Sequence, residues 1–395
     1  MRRATSVALL LLVGAGWIAA QPRPPKPERL DAGIEYRRDA ATGELRLLKI
    51  GNAEKEAAAP IENERVPGAN IRVRVELVEV SLNALAPDGS HVENLRREDF
   101  RLLEDGVEQR IVHFDAATEP ASVALALDAS PSVLRELDQM KQAARALAAH
   151  LAPQDEVAVV AFAARTYKLL PFTTDRSLLE RAIVAVEVLR SEEGGARGSH
   201  IYEAVYLTAL ELFRGRRGRK AIVLLTDGQD SQLGLGWDAR RALPREGAAS
   251  HRLTFDDVCR ALASAGIGVH IVSNQNRPRA MTEEWLGRNR AASLVTGEAE
   301  EQGMTHYTLW LAELVRRVGG RLYFLNELGT LAETYRRIAE TIRTQYTLGY
   351  YPTAGFSRPG WRALHIELRC REAARLLHPA AYYVPAGQRG TTDEH

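Results

Sequence analysis

A group of oxygen-bearing side chains follows one apolar run of the sequence. Asp128, Ser130 and Ser132 occupy alternate positions directly after the run SVALAL at 122–127, which has the composition of a buried strand. Side chains spaced in this way on a tight loop can converge on one point. Carboxylate and hydroxyl oxygens are hard ligands, and the sequence places no thiolate or imidazole cluster beside them. These residue types therefore indicate a hard divalent cation and argue against zinc.

Two further oxygen donors are predicted to lie at the same place. Asp227 directly follows the apolar run at 223–226 and precedes Gly228, which suits a turn. Ser199 precedes a predicted helix at 201–213, and we expect it to cap that helix while its hydroxyl stays near the same crevice. The sequence therefore predicts a site for Mg²⁺, with Mn²⁺ or Ca²⁺ as alternatives, formed by Asp128, Ser130, Ser132, Ser199 and Asp227.

These donors need a scaffold that brings distant loops together, and the hydropathy pattern of residues 121–343 predicts one. Apolar runs alternate there with amphipathic helical patterns. Such alternation predicts an α/β fold with a doubly wound, mostly parallel sheet, which binds ligands beyond the carboxyl ends of its strands. The predicted strands lie at 122–127, 157–162, 221–225, 269–272 and 322–325. The predicted helices lie at 133–151, 178–189, 201–213, 255–265, 309–318 and 331–342.

Shorter patterns flank this α/β domain. Alternating polarity followed by hairpin-turn signals predicts a small β domain at 70–117, and we expect a C-terminal β segment at 344–386 to pack on it. Residues 21–69, rich in Pro, Ala and charge, are predicted to be a mostly flexible linker, and 387–395 a disordered tail. Long irregular stretches at 228–252 and 274–306 either overhang the binding face or are plain insertions.

The donor groups together resemble the von Willebrand factor type A family. Its metal-ion-dependent adhesion site has a DxSxS loop, a distant Thr and an Asp in a TDG-like turn, and here DASPS at 128–132, Ser199 and TDG at 226–228 stand in the same order. The resemblance covers about 121–342 and implies a Rossmann-like module that binds another protein. The flanking patterns are similar, more weakly, to an exported bacterial group of type A-related proteins.

The resemblance also implies a role for each donor. Ser130 and Ser132 would bind the metal directly, Asp128 and Asp227 would hold metal-bound waters, and Ser199 would take the position of the Thr. The sequence departs from the family pattern at Ser199 and at Pro131, which stands where Gly is usual. Because Pro fixes φ and lacks an N–H, we expect a stiffer loop. The neighbouring His200 is predicted to be an exposed loop histidine.

Composition restricts location and partners. The formal net charge is +1, so no global field attracts nucleic acid or an anionic membrane. Residues 1–20 have a basic start, an apolar run and small residues before Gln21, which predicts a cleaved signal peptide and a secreted, periplasmic or envelope location; an uncleaved anchor is the alternative. No later segment is predicted to span a membrane. Cys259 and Cys370 are predicted to be two separate buried thiols rather than a bridge.

The predicted function is non-enzymatic: a bound ion engages an acidic side chain of another protein or envelope macromolecule. Two alternatives remain open. One is a metal-independent envelope scaffold that binds through its β flanks, and the other is a Mg²⁺-dependent phosphoester hydrolase that uses Asp128. The hydrolase is the less favoured, because the second carboxylate expected two residues after Asp128 is Ser130. The sequence contains neither a GxSxG nucleophile elbow nor a GxxxxGK[ST] phosphate loop, so it does not support the enzymatic classes that use them.

Overall fold

The computed structural model describes two packed lobes, one α/β and one all-β. The described residues are 26–39, 42–49, 77–87, 90–116, 119–133, 137–192, 198–238, 243–245, 253–275, 277–278, 281, 306–324, 331–369 and 375–385. The predicted signal peptide, the predicted C-terminal tail and Cys370 lie outside them, as do residues 239–242 and 246–252 of the first long irregular stretch and most of the second. No helix in these ranges is both long and apolar enough to cross a membrane.

Strands and helices alternate along the α/β part of the chain, as the hydropathy pattern predicts. The helices are α1 (Leu137–His150), α2 (Arg176–Glu192), α3 (Ile201–Leu207), α4 (Phe255–Ala265), α5 (His306–Val318) and α6 (Leu331–Arg343). The strands are β1 (Glu28–Arg29), β2 (Ile34–Arg38), β3 (Leu45–Lys49), β4 (Val78–Leu85), β5 (Phe100–Glu104), β6 (Val107–Gln109), β7 (Ile111–Asp115), β8 (Ala121–Asp128), β9 (Glu156–Phe162), β10 (Thr166–Thr173), β11 (Arg219–Thr226), β12 (Gly236–Asp238), β13 (Leu243–Arg245), β14 (Gly268–Ser273), β15 (Gly320–Phe324), β16 (Tyr346–Tyr350), β17 (Gly360–Leu368), β18 (Arg375–Leu377) and β19 (Ala381–Val384).

The α/β lobe is built on a seven-stranded sheet with the order β1-β10-β9-β8-β11-β14-β15. The five neighbouring strands β9, β8, β11, β14 and β15 are parallel; at one edge β10 pairs antiparallel with β9, and β1 pairs antiparallel with β10. From β8 the chain winds first to β9 on one side and later to β11 on the other. The carboxyl ends of β8 and β11 therefore form the switch point of the sheet, where open α/β sheets bind ligands. The predicted fold class is confirmed.

Both faces of this sheet are covered, which explains why its central strands are largely apolar. Along β8, Ala124 and Ala126 face one core with α3, α4 and α5, whereas Val123, Leu125 and Leu127 face the other core with α1, α2 and α6. All eight residues of β8 are buried. A strand buried on both faces has no need of alternating polarity, and its last residue, Asp128, is thus an exception that needs an explanation.

The second lobe is a β-sandwich whose strands come from the parts of the sequence before and after the α/β lobe. Its sheets have the orders β18-β4-β16-β7 and β19-β17-β5-β6. Tyr346 of β16 pairs with Leu82 of β4, and Ile366 of β17 pairs with Leu102 of β5. These inward-facing side chains share one apolar core. Small antiparallel sheets formed by residues before 117 and after 344 thus flank the α/β lobe.

The prediction of a flexible linker at 21–69 is wrong for residues 26–39 and 42–49, which we call the N-terminal arm. The arm contributes β1 to the edge of the central sheet and forms the β2–β3 hairpin. Its partly buried side chains pack on the core beside α3 and α4; they are Ile34, Tyr36, Leu45 and Leu47. A short hairpin gains its stability from that tertiary burial, which local composition does not reveal.

Strand β10 was also missed, because its sequence TYKLLPFT mixes charges, apolar residues and a proline. Pro171 lies where the pairing of β10 with β9 shifts register, between Leu170 and Thr173. A proline is tolerated at such an irregularity, since no ladder hydrogen bond is required there. The predicted helix at 201–213 is divided into α3 and a π-helical turn at Thr208–Leu212.

Candidate metal centre

The first group of predicted donors lies on the turn that leaves β8. Asp128 is the last residue of the strand, and its Oδ1 accepts a 2.9 Å hydrogen bond from the Ser130 amide. The hydroxyls of Ser130 and Ser132 lie 3.0 Å apart. Pro131 opens a 3₁₀ turn at Pro131–Val133, where a missing N–H costs little because the first turn leaves its amides unbonded. The Pro is thus compatible with a turn that keeps both serines together.

Two other loops reach the same carboxylate. Oδ2 of Asp128 accepts hydrogen bonds from Oγ1 of Thr226 at 2.7 Å and from Oγ of Ser199 at 3.2 Å. Thr226 ends β11 and Ser199 precedes α3, so three segments distant in sequence meet at Asp128. Thr226 was not among the predicted site residues. Its signal was its position directly before Asp227 in the TDG turn.

The expectation that Ser199 caps the following helix is wrong. Helix α3 begins at Ile201, its N-cap position is His200, and no side chain caps it there. The Ser199 hydroxyl instead donates to Asp128. Propensity at a helix start favours a serine cap, but a buried carboxylate is the stronger acceptor and draws the hydroxyl away.

Residues 198–200, which we call the Ser199 loop, are held on both sides by backbone contacts. The Ser199 carbonyl accepts a 2.9 Å hydrogen bond from the Ser231 amide, and the His200 amide donates to the Ala163 carbonyl at 2.8 Å. Gly198 has φ +106°, and a Cβ there would collide with the Ser231 hydroxyl. The close approach of these loops therefore requires glycine at position 198.

Asp227 lies on the turn after β11 and is almost completely buried. Its Oδ1 accepts a 2.9 Å hydrogen bond from the Gln229 amide, and its carbonyl accepts one from Nε2 of Gln275 at 2.6 Å. The turn continues through Gly228, whose φ of +84° favours glycine. Hydrogen bonds to the side chain and to the backbone carbonyl of Asp227 thus fix its carboxylate beside the switch point.

Burial dominates the electrostatics of this site. It raises the pKa of Asp128 to about 6, although hydrogen bonds from Ser130 and Thr226 act in the opposite direction. The negative charge of Asp227 raises that pKa further. Two carboxylates close enough to repel each other, one of them with no solvent exposure, make an ionised site costly unless a cation compensates it.

A second polar cluster adjoins the Ser199 loop and was not predicted. His200 is half-buried rather than exposed, and its Nδ1 lies 3.3 Å from Oε2 of Glu203. Glu203 also accepts hydrogen bonds from the Tyr36 hydroxyl at 2.7 Å and from Nε2 of Gln232 at 2.9 Å. Burial opposes its ionisation, but the bonds from His200, Tyr36 and Gln232 outweigh that effect and lower its pKa. Glu203 thus joins three separate segments.

The chemistry of the assembled donors fits a hard cation. Asp128, Ser130, Ser199 and Asp227 are each buried, and Ser132 is exposed at the surface. Within the described ranges, no group of three or more His, Cys, Asp or Glu side chains is suited to a metal ion. A cation held here would therefore need the hydroxyls in addition to the two carboxylates, a purely oxygen donor set of the kind that Mg²⁺ prefers.

Part of the chain matches a known protein family, and several solved structures are similar to it. The family model described as von Willebrand factor type A domain matches residues 123–229. Among solved structures, the chain is similar to the conserved hypothetical protein BatB from Bacteroides thetaiotaomicron, with 19% identity over 56% of this chain and 98% of that chain and a TM-score of 0.36. It is also similar to a von Willebrand factor type A protein from Catenulispora acidiphila, with 10% identity over 80% and 75% and a TM-score of 0.36.

A third similar structure is proximal thread matrix protein 1 from the mussel byssus with a zinc-occupied MIDAS motif, at 14% identity over 60% of this chain and 49% of that chain, with a TM-score of 0.35. No curated protein gives a significant match. The matched residues 123–229 begin in β8 and end just beyond Asp227, so they include every predicted metal donor. Residues 123–229 are thus the part of the chain that matches the von Willebrand factor type A domain.

Proposed function

We propose that the type A domain binds Mg²⁺ through Asp128, Ser130, Ser132, Ser199 and Asp227 and, through the ion, a carboxylate of another protein or envelope macromolecule. The proposal rests on one observation: the hydroxyls of Thr226, at the end of β11, and of Ser199, on a distant loop, converge on Oδ2 of the fully buried Asp128. Ordinary turn residues explain each loop singly, but they give no reason for a buried carboxylate where the loops meet.

The protein's own residues prepare the site. Thr226 and Ser199 orient the Asp128 carboxylate, and the Ser130 amide fixes its other oxygen. Because these groups are already in place, little ordering is needed when a ligand arrives. Ser132 is exposed, so its side of the site faces an approaching partner. A bound Mg²⁺ supplies an electrophilic coordination position that a partner's carboxylate oxygen can occupy.

Export forms part of the same proposal. Arg2 and Arg3, the apolar run at 7–15 and the small residues before Gln21 support a secreted, periplasmic or envelope location. An extracytoplasmic partner is therefore expected. Cell fractionation of the full-length protein, with mass spectrometry of the mature N-terminus, tests this part independently of the metal site. Recovery in the cytoplasm with residues 1–20 attached would contradict it.

Calorimetric titration with Mg²⁺, Mn²⁺ and Ca²⁺ tests the metal site. The wild-type protein should take up one ion, and a saturating ion should raise the melting temperature, since a ligand at about 100 times its Kd stabilises by about 2.7 kcal/mol. Asp128→Ala and the milder Ser199→Ala should each weaken uptake. Asp138→Asn is the matched control, because Asp138 is an exposed carboxylate on α1 outside the site.

Capture from envelope extract tests the partner. A carboxylate-bearing partner should bind in Mg²⁺, elute with EDTA and fail to bind Asp128→Ala. Capture that EDTA leaves unchanged would favour the metal-independent scaffold. Turnover of a phosphoester by the purified protein, lost in Asp128→Ala, would favour the hydrolase. Absence of any ion uptake by the wild-type protein would remove the basis of the adhesive function.

A further inference from the structure

The N-terminal arm contacts the α/β lobe at two places that both lead to the Ser199 loop. The first is the turn between β9 and β10. Leu30 donates its amide to the Thr166 carbonyl at 2.8 Å, and the Thr166 amide donates to Oδ1 of Asp31 at 3.2 Å. Oδ2 of Asp31 lies 3.6 Å from Arg165. This turn carries Ala163, whose carbonyl receives the His200 amide directly beside Ser199.

The second contact is with Glu203, which His200 and Gln232 also contact. The Tyr36 hydroxyl donates to Oε1 of Glu203, while Oε2 of Glu203 contacts His200 and Gln232. Glu203 thereby ties the Ser199 loop to the loop that follows Asp227. Glu203 is only 8% exposed, so the Tyr36 bond is made to a carboxylate largely removed from water. Bonds to charged groups in such surroundings are stronger than those at the surface.

The arm is also anchored to the α/β lobe away from the site. The contacts that attach the arm can therefore be tested separately from those that position the Ser199 loop. Arg38 makes two hydrogen bonds to the Asp257 carboxylate on α4, and Lys49 pairs with Glu211 at 2.7 Å. Leu30 is 4% exposed within the core beside α3. Loss of the two site-directed contacts should therefore leave the arm attached through these anchors.

We propose that the arm is a positioning element of the metal site: Asp31 and Tyr36 hold the Ser199 loop where its hydroxyl reaches Asp128. The cation-binding part of this inference rests on the proposed function. The positioning part does not, because it concerns a loop whose order is measurable without a metal. Asp31 bonds to Thr166 and Tyr36 bonds to Glu203, so both act on the site through the loops they contact.

The test combines Tyr36→Phe, which removes the hydroxyl that donates to Glu203, with Asp31→Ala, which removes the carboxylate that accepts from the Thr166 amide. Lys49→Met is the matched control, since it removes an arm contact that does not lead to the Ser199 loop. Two quantities are measured in all variants: Mn²⁺ affinity by calorimetry, and hydrogen exchange of the 198–203 amides in EDTA. The melting temperature in EDTA shows whether the fold is retained.

The double variant should bind Mn²⁺ about tenfold more weakly and exchange its His200 amide about tenfold faster, as expected for the loss of two polar contacts. Exchange in β8 and β11 should not change, and Lys49→Met should match wild type in both measurements. Unchanged exchange at 198–203 would overturn the inference, as would equal effects in Lys49→Met. If the wild-type protein takes up no Mn²⁺, the proposed function fails, and the exchange data alone decide whether the arm positions the loop.

Discussion

The Thr226 hydroxyl donates a 2.7 Å hydrogen bond to Oδ2 of Asp128, joining the carboxyl ends of two neighbouring parallel strands. Asp128 ends β8, Thr226 ends β11, and both side chains are fully buried. The bond crosses the switch point of the sheet, where two loops of opposite winding direction separate. It fixes the orientation of the carboxylate from the scaffold side and leaves the remaining donors on the loop side.

Replacing Thr226 by Val should destabilise the cation-free protein by about 1–3 kcal/mol, because a buried carboxylate oxygen loses a donor while side-chain shape is kept. Urea unfolding in EDTA measures the change. Thr226→Ser retains the hydroxyl and should recover most of the loss. A Val variant as stable as wild type would mean that Ser199 alone satisfies Oδ2.

Gly198→Ala should disturb the site through strain at the Ser199 loop. An Ala at φ +106° is strained, and its Cβ would displace the Ser231 hydroxyl. Such strain costs about 1–3 kcal/mol, and the displacement should weaken cation uptake as well. Gly355→Ala is the control, since Gly355 also has positive φ but open space around it. Equal cation affinity in the two variants would show that the Ser199 loop tolerates the shift.

His270 should make stability fall in acid. It is completely buried on β14, and burial followed by the charge of Arg321 lowers its pKa from 6.5 to about 4. Between these values the unfolded chain binds a proton that the folded protein does not. The contribution of neutral His270 to folding stability is therefore complete above pH 6.5 and is lost as the pH falls toward 4. The free energy of unfolding should fall by about 3 kcal/mol across this window.

His270→Phe should remove that part of the pH dependence, measured as the difference in unfolding free energy from wild type across the same window. His365→Asn is the control, because His365 is an exposed histidine on the sandwich. Parallel pH profiles of wild type and the Phe variant would mean that His270 binds a proton as readily in the folded protein as in the unfolded chain.

Arg219 should couple the two lobes. Its Nε donates to the Glu119 carbonyl at 2.8 Å, and its Nη1 donates to the Ile342 carbonyl at 2.8 Å. Glu119 lies on the segment that connects β7 of the sandwich to β8, and Ile342 lies in the last turn of α6, shortly before the chain enters β16 of the sandwich. Arg219→Met leaves buried acceptors without donors and should cost about 2–4 kcal/mol. Calorimetry should then separate the unfolding of the lobes, and a single transition with an unchanged midpoint would contradict this coupling.

The α/β fold and the approximate order of its elements followed from the sequence alone, since strands buried on both faces must be apolar and amphipathic helices must cover them. The grouping of Asp128, Ser130, Ser199 and Asp227 at one edge was also accessible, because parallel strands deliver their following loops to the same side of a sheet. Hydrophobic periodicity carries this information locally, residue by residue.

Only the tertiary structure decided which partner each side chain chose. It gave the Ser199 hydroxyl to Asp128 instead of the start of α3, and it brought Thr226 into the site. It also ordered the N-terminal arm, whose charged composition indicates a linker but whose few apolar residues find a core beside α3 and α4. Burial and hydrogen-bond competition arise between segments distant along the chain, so local pattern cannot express them.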